Sequence, residues 1–192
     1  MNLPNRLTVL RILLTVLFMI LLFGKNLFAK TGALLVFLLA SLTDYWDGKI
    51  AREKGQITRF GKLMDPIADK ILTLSAFMAF VQMGIIPAWM VIAIISRDLL
   101  ITGLRLLAPS AGDAAAARKS GKHKTVLQFL AIVFVLLFLA LKQAPVWKEE
   151  WSAFAHDFIY LGMLFIVSVT LWSGIRYVWV NKELLMGNTT HQ

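Results

Sequence analysis

Six long apolar runs, nearly free of charge, constrain this chain more than any other feature. They cover residues 9–23, 32–44, 67–83, 87–107, 125–141 and 154–180. A helix needs about 20 mostly apolar residues to cross a bilayer core, and in hydrocarbon every backbone N–H and C=O must be satisfied internally. The runs therefore predict an all-α, multi-pass integral membrane protein of about six transmembrane helices. The second run reaches spanning length only if its helix continues through Trp46 and Ile50. The first has no small-residue cleavage site after it and reads as a retained helix, not a signal peptide. Before it, Leu3, Leu7 and Leu10 fall at helical spacing with Arg6 and Arg11 between them. That pattern predicts an N-terminal interfacial amphipathic helix.

Composition agrees with this class. The chain is 58% hydrophobic over 192 residues, whereas soluble domains lie at about 45–50%. No internal repeat or soluble second domain interrupts it, so residues 1–192 read as a single membrane domain. The absence of cysteine excludes disulfides, thiolate catalysis and Cys-ligated metal. His123, His156 and His191 make no zinc spacing.

A net charge of +9 could point to nucleic acid, but in a membrane chain basic loops facing anionic lipid explain it better. Lys49, Arg52, Lys54, Arg59 and Lys62 lie between the second and third runs. Arg118, Lys119, Lys122 and Lys124 lie between the fourth and fifth, after Arg105. The opposite side has Lys25, Lys30, an uncharged turn at Gly84, and a mixed stretch with Lys148, Glu149, Glu150 and Asp157. The positive-inside rule then places both termini at the cytoplasmic face. Trp147, Trp151, Trp172 and Trp179 fit interfacial anchors or packing residues, and Ala111–Ala117 reads as a connector or short helix.

Four aspartates stand out against this background. Asp44 and Asp47 are three apart, and Asp65 and Asp69 four apart, so each pair shares a helix face. Pro66 suits the first turn of the third helix, with Asp65 as its N-cap. A short basic loop joins the pairs, so the two helices are expected to be antiparallel neighbours whose carboxylates converge. A carboxylate at a helix centre in a bilayer costs roughly 2.5–3.5 kcal/mol, and four together would repel one another. Oxygen-only ligands favour Mg²⁺ or Mn²⁺, and four carboxylates can hold two ions. Gly48 and Gly61 would let a bulky ligand approach the backbone, and Arg52 and Lys62 are spaced to meet phosphate. The blander reading is an ion pair, with Arg52 or Arg105 as partner; a transporter's cation or proton path is another. A transport site would be expected at the midplane, whereas these residues bracket a polar loop near one surface.

The pattern Asp-x2-Asp-Gly-x2-Ala-Arg-x8-Gly-x3-Asp-x3-Asp, from Asp44 to Asp69, resembles the signature of the CDP-alcohol phosphatidyltransferases. The resemblance implies six transmembrane helices, usually a homodimer, and a two-metal site at the cytoplasmic surface. It implies transfer of a phosphatidyl group from a CDP-linked lipid to an alcohol, with release of CMP. Three further segments are similar to the bacterial branch that uses sn-glycerol 3-phosphate as acceptor. They are Asn2-Leu-Pro-Asn-Arg-Leu-Thr-x2-Arg11-Ile, Arg97-Asp98-x4-Gly103-Leu104-Arg105 and Gly121-Lys122-x-Lys124-Thr125-x2-Gln128.

On this resemblance Asp44, Asp47 and Asp65 are the main metal ligands, and Asp69 is both ligand and general base. Gly48, Ala51, Arg52, Gly61 and Lys62 shape the CDP-diacylglycerol site, and Arg105, Arg118, Lys119, Lys122 and Lys124 bind the acceptor phosphate. Those basic residues are expected in a positive-inside loop on orientation grounds alone, and His123 reads as a loop residue rather than a base. Inositol phosphate, serine and phosphatidylglycerol are the alternative acceptors. The expected location is a bacterial inner or plasma membrane, with the active site facing the cytoplasm and membrane lipids, not nucleic acid, as surroundings.

Overall fold

The computed structural model describes the backbone of residues 3–54, 59–107 and 114–180, and the side chains of 9–43, 70–103 and 125–179. The described residues form six α-helices: α1 Leu3–Leu22, α2 Leu27–Lys54, α3 Arg59–Gln82, α4 Ala88–Leu107, α5 Ala114–Lys142 and α6 Glu150–Val180. Two described segments, Thr125–Lys142 and Glu150–Trp179, are long and apolar enough to cross a membrane, and Val9–Leu22, Leu27–Thr43 and Lys70–Gln82 are shorter apolar helices. Large apolar side chains stay exposed, among them Phe28 at 86% and Phe154 at 75%. That is the surface of a membrane protein, whose outer solvent is as apolar as leucine.

Several helix ends differ from expectation, for one reason. Charge ends an apolar run but does not end a helix. Lys49, Arg52 and Lys54 are the last turns of α2, where cations suit the carbonyl end of the helix. Arg59 and Lys62 open α3, and only residues 55–58 separate the two helices. Because α3 starts at Arg59, Asp65 is not an N-cap. Pro66 lies inside the helix, at its eighth residue, where a proline gives no N–H to the carbonyl of residue 62 and crowds it. Arg118, Lys119, Lys122, His123 and Lys124 likewise belong to α5, not a loop, and Ala114–Ala117 form its first turn. Alanine, lysine and arginine are all strong helix formers. Residues 3–10 are the first turns of α1 rather than a separate helix.

The chain packs as two compact units, Met1–Ile85 with Ile132–His156, and Ile86–Ala131 with Asp157–Gln192. In the first, α1 packs along α2 and α3, which also touch each other. The α1–α2 packing is antiparallel. Phe18 meets Phe37 with ring centroids 5.6 Å apart, the Lys30 ammonium donates to the Leu22 carbonyl, and Gly32 approaches the Leu21 side chain. The inward face of α1 is Arg11, Thr15, Phe18 and Leu22; that of α2 is Lys30, Ala33, Phe37 and Ala40. Spacings of three and four alternate on both, the seven-residue repeat of supercoiled helices. Ala33, Ala40, Ala76 and Ala79 are buried, and such small residues let helix backbones come close where hydrophobic driving force is absent.

The connections are built tightly. Asn26 Oδ1 accepts from the Ala29 N–H at 2.7 Å, capping the start of α2. A Cβ on Gly24 would run into Ala29 Cβ, so only glycine allows this turn to close. At the end of α3, Ile85 N–H donates to Phe80 C=O at 2.9 Å and Gly84 N–H to Val81 C=O at 3.0 Å. With Gly84 at φ 70°, this is the Schellman arrangement that stops a helix. Between α5 and α6, Trp147 packs edge-on against Phe138 and Trp151 and donates through Nε1 to Ser152 Oγ at 3.0 Å. Trp147 is thus a packing residue, while Trp172 and Trp179 are more than 70% exposed and free to meet a membrane interface.

In the second unit, α4 and α6 are tied by Arg97, which donates through Nη2 to Ser173 Oγ at 2.9 Å and pairs with Asp98 at 3.3 Å.

Candidate active site

The aspartates occupy matching places on α2 and α3. Asp44 lies ten residues before the end of α2 at Lys54, and Asp69 ten residues after the start of α3 at Arg59. Asp47 lies seven before that end and Asp65 six after that start. At about 1.5 Å per residue, Asp44 and Asp69 are each about 15 Å from the connection, and Asp47 and Asp65 each about 10 Å. Consecutive helices joined by a short link thus carry their carboxylate positions in two levels.

Helix register adds which face these positions fall on. The inward face of α2 runs Lys30, Ala33, Phe37, Ala40, and the next steps of four and three reach Asp44 and Asp47. The buried positions of α3 include Leu72, Ala76 and Ala79, and steps of three and four backwards reach Asp69 and Asp65. Each pair therefore extends an apolar packing face into the polar end of its helix. Gly48, Ala51 and Arg52 follow on the last two turns of α2, and Gly61 and Lys62 lie on the first turn of α3. The side chains of all these residues lie outside the described ones, as do those of Arg105, Arg118, Lys119, Lys122 and Lys124.

The aspartates and the CDP-diacylglycerol candidates belong to the first packing unit, and the five basic acceptor candidates to the second. In the second, Arg105 is on the last turn of α4, and the other four are on the first three turns of α5. Among the described residues no group of three or more His, Cys, Asp or Glu could hold a metal ion. The donor set of the aspartates suits a hard divalent cation, since carboxylate oxygen is what Mg²⁺ and Mn²⁺ prefer.

A side chain of α1 is also placed differently from its reading in the sequence. Arg11, expected on the amphipathic start of α1, is buried at 1% exposure on the same face as Phe18. Its carbonyl accepts from the Thr15 hydroxyl at 2.8 Å. A signal for this burial was present: Arg11 lies seven residues from Phe18, one full packing repeat.

Comparison with known proteins shows the family. A family model described as CDP-alcohol phosphatidyltransferase matches residues 1–170. The CDP-diacylglycerol–glycerol-3-phosphate 3-phosphatidyltransferase of Bacillus subtilis is 42% identical over 96% of this chain and 97% of its own length. Proteins of the same name from Rickettsia typhi and Salmonella paratyphi A are 35% and 30% identical, over 71% and 92% of this chain and 76% and 93% of their own lengths.

Proposed function

The chain belongs to the CDP-alcohol phosphatidyltransferase family, and we propose that it transfers the phosphatidyl group of CDP-diacylglycerol to sn-glycerol 3-phosphate. The products are phosphatidylglycerophosphate and CMP, so the enzyme acts in phospholipid biosynthesis. The observation that carries this reading is the matched placement of Asp44, Asp47, Asp65 and Asp69 on the joined ends of α2 and α3, in a chain whose relatives bear that activity in their names.

Asp44, Asp47 and Asp65 would hold two Mg²⁺ or Mn²⁺ ions, with Asp69 completing the set. Such ions would supply positive charge against the pyrophosphate and the departing CMP. Asp69 accepts the proton of the acceptor hydroxyl as that oxygen forms its bond to the phosphatidyl phosphorus. The bond from that phosphorus to the CMP oxygen breaks, and CMP leaves with the electron pair. Gly48, Ala51 and Gly61 leave room for the cytidine diphosphate, and Arg52 and Lys62 meet its phosphates. Arg105, Arg118, Lys119, Lys122 and Lys124 bind the phosphate of the acceptor, a dianion that needs cationic neighbours.

Helix length supports a site at the membrane surface. The 28 residues of α2 extend about 42 Å, against about 30 Å of hydrocarbon. The excess of about eight residues begins near Asp47, so the aspartates sit where a lipid donor and a water-soluble acceptor can both reach. We place this end and both termini in the cytoplasm, with six helices spanning a bacterial inner membrane as one domain, the start of α1 at the interface, and two copies forming a homodimer.

The test is CMP release by detergent-purified protein given CDP-diacylglycerol and Mg²⁺ or Mn²⁺, with and without glycerol 3-phosphate. Release that requires both metal and glycerol 3-phosphate is the expected result. Release only with another alcohol would keep the chemistry and overturn the acceptor. No release from folded protein with any acceptor would overturn the reaction itself.

A further inference from the structure

Arg11 is fully buried, an uncommon place for a guanidinium. Such a charge is retained only beside groups that compensate it. The helix that carries it has no acidic residue, and it packs on α2 and α3. The acidic residues of those two helices are Asp44, Asp47, Glu53, Asp65 and Asp69.

Register narrows the choice. Phe18 of α1 and Phe37 of α2 are in contact, and the two helices run antiparallel. Seven residues from Phe18, toward the start of α1, is Arg11; seven from Phe37, toward the end of α2, is Asp44. Seven residues are two turns on either helix, which returns to the same face at the same level. The intervening pair, Thr15 and Ala40, is buried on both sides, so the packing continues toward this point. Arg11 and Asp44 are thus the next matched pair after Thr15 and Ala40.

We propose that Arg11 is the built-in counter-charge of the aspartate cluster, at the register position of Asp44 across the α1–α2 packing, and that it steadies the cluster when no metal is bound. It is a positioning residue, distinct from the groups that touch substrate. The proposal rests on the metal-binding reading of the aspartates. Its consequence is competition: a fixed cation beside the cluster steadies the metal-free protein and weakens its hold on Mg²⁺.

Thermal melting in detergent tests this, with EDTA and across a Mg²⁺ titration, for wild type, Arg11→Gln and Arg11→Lys. Arg11→Gln is expected to lose more Tm in EDTA than at saturating Mg²⁺, and to reach half-maximal stabilisation at about tenfold less Mg²⁺, since a nearby like charge is gone. Arg11→Lys, which keeps the charge, is expected to retain the wild-type response to metal. Equal Tm losses with and without Mg²⁺, at an unchanged half-saturation, would mark Arg11 as a packing residue and overturn the proposal.

A second arm needs no metal. In EDTA, Arg11→Gln/Asp44→Asn is expected to be at least as stable as Arg11→Gln alone, because the facing carboxylate is then neutral too. Additive losses would overturn the pairing. If Arg11→Gln alone does not fold, recovery of folded protein in the double variant is the expected result, and no recovery overturns it. A wild-type Tm that ignores Mg²⁺ and Mn²⁺ would sink the metal reading, while this arm would still decide the role of Arg11.

Discussion

Arg97 and Ser173 join α4 to α6 through a hydrogen bond of 2.9 Å, with the Ser173 hydroxyl accepting from the guanidinium. Gly174 makes the approach possible, since a Cβ there would fall 2.9 Å from Arg97 Cγ. Hydrogen bonds to charged groups contribute about 1.5–3 kcal/mol. Ser173→Ala is therefore expected to lower stability by about 1.5 kcal/mol, read as a drop in Tm in detergent. Gly174→Val should lose at least as much, because it displaces the arginine stem. Melting at the wild-type temperature in both variants would show that the contact contributes nothing.

Gly24→Ala tests the closure of the α1–α2 turn. The added methyl collides with Ala29 Cβ and crowds the Leu21 carbonyl at 3.0 Å. Overpacking of this kind costs about 1–3 kcal/mol. Urea or thermal unfolding of the variant should show a loss in that range, and a gain from higher helix propensity would contradict the crowding.

Gly84→Ala isolates a different cost. Nothing lies within 4 Å of the position, but its φ is +70°, so only the left-handed backbone opposes a side chain. The expected loss is about 1 kcal/mol, with Gly84→Asn losing less because asparagine tolerates this region better. Equal losses for alanine and asparagine would argue against a backbone cause.

The proposed catalytic roles separate in kinetics. Asp69→Asn is expected to bind CDP-diacylglycerol nearly as wild type yet to release no CMP. Wild-type turnover in that variant would refute the base assignment. Lys122→Ala or Arg118→Ala should raise KM for glycerol 3-phosphate by about tenfold, the worth of one charge-assisted contact, and KM for the lipid far less. Matching changes in both constants would remove these residues from the acceptor site.

Chelation gives a direct check on the aspartates. EDTA should abolish CMP release, and added Mg²⁺ or Mn²⁺ should restore it. Activity that survives exhaustive chelation would leave the four carboxylates without their assigned purpose.

Much of this architecture was legible in the sequence. The six apolar runs correspond to the six helices, and the need for α2 to continue past its apolar run was read from length alone. The aspartate pattern named the family that the comparisons support. What misled was charge. Lys30 counted among the charges of the side opposite the basic loops, yet it is 5% exposed and donates to the Leu22 carbonyl at the end of α1. Arg118 to Lys124 read as loop because cations interrupt hydropathy, although they favour helix. Pro66 read as a first-turn residue, a sound local rule that gave way because the helix begins at Arg59, seven residues earlier. Arg11 was the largest omission, since its burial is a property of the α1–α2 register and not of its neighbours in the chain.

The seven-residue packing repeat of α2 has a bearing on how this protein can change. Substitutions among Ala33, Phe37 and Ala40 alter fit, but a change of length alters phase. One residue inserted between Ala40 and Asp44 would turn both following aspartate positions by about 100° around the helix axis, leaving the apolar half untouched. The chain could still insert and fold as far as residue 40, with those positions moved to another face of the helix. Lineages of this enzyme should therefore tolerate insertions in the connections between helices and none in this stretch, which acts as a ruler between the packed core and the chemistry.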